Sequence, residues 1–264
     1  MDNLKSYSER GREVSWQDSP YWSDKGNPKE QFDVAFEGRR LEVANFSDVS
    51  LTKDQLEELQ RIIAEFSQIK DGEVFDKVKS ICVDNLQPID PETKEGVNGM
   101  GAEKDDGIVK LYPRALKPIS HRVEGVSNFA GTVIHELAHA VETSETQVEW
   151  RERFEWLLNS DKIGELRKLG LMEKLKSTPQ KDWVNLHPDI WNLVRFWTIM
   201  QPERCVTDYA KLSPEDDFAE SMVAALRNPD LLDSQRSRFL KNNFLSNVKE
   251  ATAFKVDIQR RLVD

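Results

Sequence analysis

Thr132-Val133-Ile134-His135-Glu136-Leu137-Ala138-His139-Ala140 is the stretch from which the rest of the chain can be read. It holds an HExxH pattern inside a helical run of apolar residues. Residues four apart on an α-helix lie about 40° apart in projection and one turn along the axis, so both imidazoles reach a common point from one side. Two neutral imidazoles plus a carboxylate suit zinc and leave a fourth position for water. Glu136, about 100° round from His135, can take a proton from that water without occupying the metal. Phe129, Val133, Ile134, Leu137, Ala140 and Val141 share one arc of the helical wheel, and the histidines fall opposite. The spacing predicts a helix over about 126–142, packed down by its apolar arc, with the histidines facing a cleft.

A third ligand is needed, and the segment Thr207–Glu220 offers two. Ser213 with Pro214 at the first helical position starts a helix whose apolar face is Phe218, Ala219, Met222, Val223 and Leu226. Asp216 and Glu220 stand four apart at the edge of that face. One of them would bind the metal and the other would accept the second ring N–H of a ligand histidine, the usual outer partner. Capping alone accounts for Glu215 and Asp216, since acidic residues in a first turn complement the helix dipole and Ser213-x-x-Asp216 is close to a capping box. Capping does not account for Glu220. His121 and His187 are read as structural.

HExxH on one helix, followed by Tyr209-Ala210-x-x-Ser213-Pro214-x-acid-x-Phe218-Ala219-Glu220 on a later one, resembles the compact gluzincin peptidases. The chain is similar in these motifs to the catalytic domain of anthrax lethal factor and to the Mlc titration factor family. The resemblance covers roughly residues 105–228. It implies that His135 and His139 are zinc ligands, that Glu136 is the general base, and that Tyr209 stabilises the tetrahedral oxyanion. The family's third ligand is a Glu seven residues after the Tyr; here that position is Asp216, a shorter acid, so either Asp216 or Glu220 takes the role. The resemblance further implies a small twisted sheet flanked by the HExxH helix and the third-ligand helix.

Outward from the motif, the elements order themselves by period. Phe32, Val34 and Phe36, then Gly38, then Leu41 and Val43 alternate about a glycine and predict a β-hairpin. Thr52-Lys53-Asp54-Gln55 has capping-box form, and Leu56, Leu59, Ile62, Ile63 and Phe66 continue it as a helix over about 53–69. Strands are expected at 78–83 and 107–112. Residues 146–204, with Trp150, Phe154, Trp156, Trp183, Trp191, Phe196 and Trp197, read as an aromatic-rich helical insertion, most of its rings belonging to a core. A last amphipathic helix is expected over about 232–260. The whole reads as α+β: a polar arm at 1–30, then one zincin-like domain over 31–264.

Bulk composition bounds the partners. With 264 residues and 38% apolar content a sizeable core is available, and a net charge of -10 with no basic stripe argues against nucleic acid. No run approaches the roughly 18–20 apolar residues of a membrane span, and the N-terminus lacks the features of a secretory signal. A cytoplasmic protein is expected, with leaderless export left open. Cys82 and Cys205 offer neither CxxC spacing nor a disulfide framework and read as small hydrophobes. The expected activity is hydrolysis of a peptide or protein by a zinc-activated water with Glu136 as base. Amide hydrolysis of another class, a zinc-binding regulatory or sequestering module, and a toxin-like effector peptidase are the alternatives.

Overall fold

The computed structural model describes residues 26–86, 88, 98–100, 107–154, 156–158, 168, 170, 197–199, 205–211, 213–248 and 256–261. The strands are β1 (Glu30–Phe36), β2 (Arg39–Asn45), β3 (Ser80–Val83), β4 (Gly99–Met100), β5 (Ile108–Leu111), β6 (Trp156–Leu158), β7 (Trp197–Ile199) and β8 (Val256–Arg261). The helices are α1 (Lys53–Gln68), α2 (Val74–Lys77), α3 (Asn128–Val141), α4 (Ser144–Arg153), α5 (Pro214–Arg227) and α6 (Ser234–Leu240). This is a mixed α+β chain in two compact units, one running to Lys117 and regaining the chain from Val248, the other spanning Pro118–Asn247. Among the described residues no helix is long and apolar enough to cross a membrane.

The first unit is organised by the expected hairpin. Glu37 and Gly38 both take positive φ, 46° and 75°. That is the two-residue turn whose twist matches the flanking strands, and glycine suits its second position. The turn sets the register Phe32↔Val43 and Val34↔Leu41, which turns all four apolar side chains into the core. The sheet runs β4-β5-β3-β2-β1-β8. β2, β3 and β5 pair in parallel, and the edges are antiparallel. β3 and β5 are buried at every position, as expected of inner strands of a parallel set. α1 carries the predicted capping box, with Thr52 Oγ1 accepting from Gln55 N–H at 3.2 Å and Gln55 Oε1 accepting from Thr52 N–H at 2.9 Å. Its buried Leu59, Ile62, Ile63 and Phe66 contribute about 1.5–3 kcal/mol each.

Two expectations are corrected. The single helix over 232–260 is instead α6, a π turn over Lys241–Leu245 and then β8. Val256-Asp257-Ile258-Gln259 alternates with period two, and Ile258 pairs with Val34 on β1. The strands therefore do not all precede the helices. Within 146–204 the described part begins as α4, but β6 and β7 form an antiparallel pair where helix was expected. Trp-Leu-Leu and Trp-Thr-Ile are aromatic and β-branched enough to favour that outcome. Most of the rest of that insertion, and residues 1–25 of the expected arm, lie outside the described residues.

The second unit packs α3, α4, α5 and α6 around an aromatic cluster. Trp150 meets Phe154, Phe218 and Phe239 at ring-centroid distances of 4.3, 5.2 and 5.3 Å. Into this cluster the chain sets an ion pair. Arg236, 2% exposed, donates to Asp217 Oδ2 at 2.7 Å and to Asp233 Oδ2 at 2.6 Å, while Trp150 Nε1–H donates to the same Asp217 oxygen at 3.0 Å. Asp233 also caps α6 by accepting from the Gln235 and Arg236 backbone N–H groups. Burial pushes the Cys205 thiol up to about 12, with the Asp217 charge adding to it. Cys82 is buried and, among the described residues, in no disulfide.

Candidate metal centre

α3 begins where the sequence allows. Ser127 Oγ accepts from Ala130 N–H at 3.2 Å, and the chain before it folds back in a narrow loop. In that loop His121 N–H donates to Val126 O at 2.8 Å and Asn128 N–H to Ile119 O at 3.0 Å. The helix is buried on nearly its whole circumference, His135 and Glu136 included, rather than along one apolar arc. His139 keeps 26% of its side chain exposed, so the cluster opens to solvent at that end of the helix.

Three ligand atoms converge. His135 Nε2 lies 3.1 Å from His139 Nε2, and Asp216 Oδ1 lies 3.6 Å from the first and 3.9 Å from the second. Residues His135, His139 and Asp216 thus form a group able to hold a metal ion. Glu220 stands elsewhere: its Oε1 accepts from His135 Nδ1–H at 2.9 Å. The two acids left open by the sequence are therefore distinguished by which nitrogen of His135 each one faces. Asp216 keeps its capping part as well, since Ser213 Oγ accepts from the Asp216 backbone N–H at 3.0 Å and donates to Oδ2 at 2.7 Å.

Electrostatics follow from this packing. Burial opposes charge on His135, yet the carboxylates of Asp216, Glu220 and Glu136 outweigh it and raise the ring to about 10. Burial, with the charge on His135 beside it, lowers His139 to about 4. The surrounding acids thus favour the charged form of His135, and burial beside it favours the neutral form of His139. Glu220 is buried and Asp216 largely so, which alone would raise them, but the His135 ring holds both below the usual carboxylate range. Glu136 goes the other way: burial pushes it up to about 7, Asp216 and Glu220 adding and His135 and Arg122 opposing. The Tyr209 ring centroid is 5.7 Å from that of His135, and burial, then the Asp216 charge, pushes the phenol up.

Three residues around this cluster escaped the sequence reading or were read otherwise. Thr207 Oγ1 donates to Glu220 Oε2 at 3.0 Å and accepts from Ala210 N–H at 3.0 Å, so it anchors both the acid and the turn carrying Tyr209. His121, read as structural, places its Nε2 3.7 Å from Glu220 Oε1 while its Nδ1 accepts from Val123 N–H at 3.2 Å. Its ring lies so close to α3 that a Cβ on Gly131 would overlap it. Arg122 stacks on the Tyr209 ring, its Cζ 3.6 Å from the centroid. Only pairing across the fold reveals these contacts; nothing in the local spacing announces them. His187 lies outside the described residues.

No family model, curated protein or solved structure matches the chain. The functional reading therefore rests on the residues themselves.

Proposed function

We propose that this chain is a zinc-dependent hydrolase, a metallopeptidase of the compact gluzincin kind with a zincin-like fold, acting on a peptide or protein. The observation that carries this reading is the convergence of His135 Nε2, His139 Nε2 and Asp216 Oδ1, with Glu220 on the far nitrogen of His135. The donor set fits the ion. Bonds of about 2.0–2.1 Å in a tetrahedron separate ligand atoms by about 3.3 Å, close to the 3.1, 3.6 and 3.9 Å found here. The carboxylates of Asp216 and Glu220 beside the two histidines supply negative charge that would balance a cation.

When bound, zinc would supply a Lewis acid for a carbonyl and for water. His135, His139 and Asp216 would hold it. Glu220 fixes the tautomer of His135, because accepting from Nδ1–H leaves the Nε2 lone pair for the metal. Thr207 in turn holds Glu220. Glu136, poised near neutrality by burial, takes a proton at its carboxylate from the attacking water and returns it to the leaving amine. Tyr209, kept protonated, donates its O–H to the developing oxyanion.

Metal content and hydrolysis test the reading together. The purified protein should hold about one zinc per chain, His135→Ala should lose it, and Glu136→Gln should keep it while losing hydrolysis of a fluorogenic peptide library. A parent protein that takes up no zinc when it is offered overturns the metal centre. Zinc retained with no peptide cleaved in the parent would favour the sequestering module instead.

A further inference from the structure

We propose that Arg122 is the anchor for a substrate carboxylate, so that the preferred substrate is a peptide carrying a negative charge within about three residues of the scissile bond. This rests on the hydrolase reading of the neighbouring cluster. The carboxylate comes either from a free C-terminus or from an acidic side chain in that stretch.

Arg122 is an exposed residue beside a buried, carboxylate-rich cluster. Among the described residues it makes no ion pair and no hydrogen bond; its one close contact is the face of Tyr209, 3.6 Å from the ring centroid. Stacking uses the flat face of the guanidinium and leaves its N–H edge free to meet a carboxylate in the two-pronged geometry that arginine favours. The backbone that carries Arg122 is also fixed. The loop carrying Arg122 is closed by the Ser120–Ser127 bridge, and Asn228 Nδ2 donates to Glu124 O at 3.0 Å, tying the loop to the end of α5. Gly125, at φ 78°, allows the loop to turn.

The reach is that of a short peptide segment. Tyr209 contacts both groups, its ring centroid 3.6 Å from Arg122 Cζ and 5.7 Å from the His135 ring centroid, which puts the guanidinium within about 9 Å of the His135 ring. An extended peptide advances about 3.3–3.6 Å per residue, so a carboxylate within about three residues of a carbonyl at the histidine cluster comes into range of the guanidinium. Three carboxyl groups, Glu136, Asp216 and Glu220, surround the histidines, and any of them left unbalanced by the histidines or the metal would repel an anion. Arg122 offsets that repulsion at one point and so selects where the anion sits.

The test measures binding to the zinc-loaded Glu136→Gln protein, where turnover is blocked, by isothermal titration calorimetry. Three probes are used: acetyl-trialanine as the free acid, the same peptide as its C-terminal amide, and acetyl-Ala-Ala-Glu amide. At least one of the two anionic peptides should bind about ten-fold or more tighter than the neutral amide, as a charge-assisted paired hydrogen bond allows. Whichever anionic peptide gains identifies the source of the carboxylate. In the Arg122→Gln form the anionic peptides should fall to the level of the neutral one, and Arg122→Lys should restore part of the gap. Equal binding of acid and amide, a gap that survives Arg122→Gln, or no measurable binding of any probe at millimolar concentration overturns the proposal. Repeating the titrations on the metal-free protein separates the two readings: a charge preference that depends on Arg122 there supports the anchor even if zinc uptake and hydrolysis both fail.

Discussion

The division of labour between Asp216 and Glu220 can be tested by truncating each and reading two quantities, zinc affinity and the stability of the metal-free protein. Asp216 Oδ1 faces both Nε2 atoms, 3.6 and 3.9 Å away, and its side chain is 18% exposed. Structural zinc sites bind with about 10–16 kcal/mol shared over four ligands, or about 2.5–4 kcal/mol each, so Asp216→Ala should weaken zinc roughly 100- to 1,000-fold. It should cost the metal-free fold only about 1 kcal/mol, as for a lost helix-cap contact. Glu220 is fully buried, accepts from His135 and Thr207, and would act on a bound metal only through His135. Glu220→Ala should weaken zinc about 10- to 100-fold, the usual effect of losing an outer partner. It should also destabilise the metal-free protein by about 1–3 kcal/mol, because buried donors lose their acceptor. Competitive titration against a zinc-sensitive dye gives the first quantity and urea unfolding in chelator the second. If Glu220→Ala weakens zinc more than Asp216→Ala, or if Asp216→Ala binds zinc within about three-fold of the parent, the assignment drawn from the His135 nitrogens is wrong.

Two further substitutions probe the packing behind the site. Alanine for glycine inside a helix ordinarily stabilises by about 0.5–1 kcal/mol, but at Gly131 the new methyl overlaps the His121 ring. Gly131→Ala should therefore destabilise by about 1–3 kcal/mol in urea unfolding, and a stabilisation would show that His121 does not lie against α3. Asp217→Ala leaves Arg236, 2% exposed, with Asp233 as its one remaining carboxylate among the described residues and strips Trp150 Nε1–H of its acceptor. The expected loss is about 3–5 kcal/mol by chemical denaturation, and a change below about 1 kcal/mol would mean the pair is not buried in solution.

What the sequence made legible is what neighbours along the chain decide. His135 and His139 are one helical turn apart, and that alone aims them at one point. The hairpin at Glu37–Gly38, the capping box at Thr52 and the Ser213–Pro214 helix start are likewise set within a few residues. The misread elements depend on distant partners. Val256-Asp257-Ile258-Gln259 fits either an amphipathic helix or an edge strand, and only the β1 strand, from the other end of the chain, resolves it. Asp216 and Glu220 were equivalent candidates because both lie on one edge of α5. The way α5 packs on α3 sends one to Nε2 and the other to Nδ1. The positions of His121, Thr207 and Arg122 rest on the same packing.

α5 therefore carries two sets of buried charge on neighbouring faces. Asp216 and Glu220, four residues apart, turn toward the histidines, while Asp217, about 100° further round, turns toward Arg236 and Trp150. A helix that offers carboxylates to a metal cluster needs its rotation fixed. A shift of a few tens of degrees would exchange the atoms facing His135, and apolar packing alone tolerates some such slippage. The Asp217–Arg236 pair resists it, because turning α5 would separate buried opposite charges and strip the Trp150 N–H of its acceptor at once. The ion pair is costly to bury and is a poor source of net stability. Its location, one residue from Asp216 on the same helix, gives it a different use: it fixes the angle at which Asp216, the proposed third ligand, meets the two histidines.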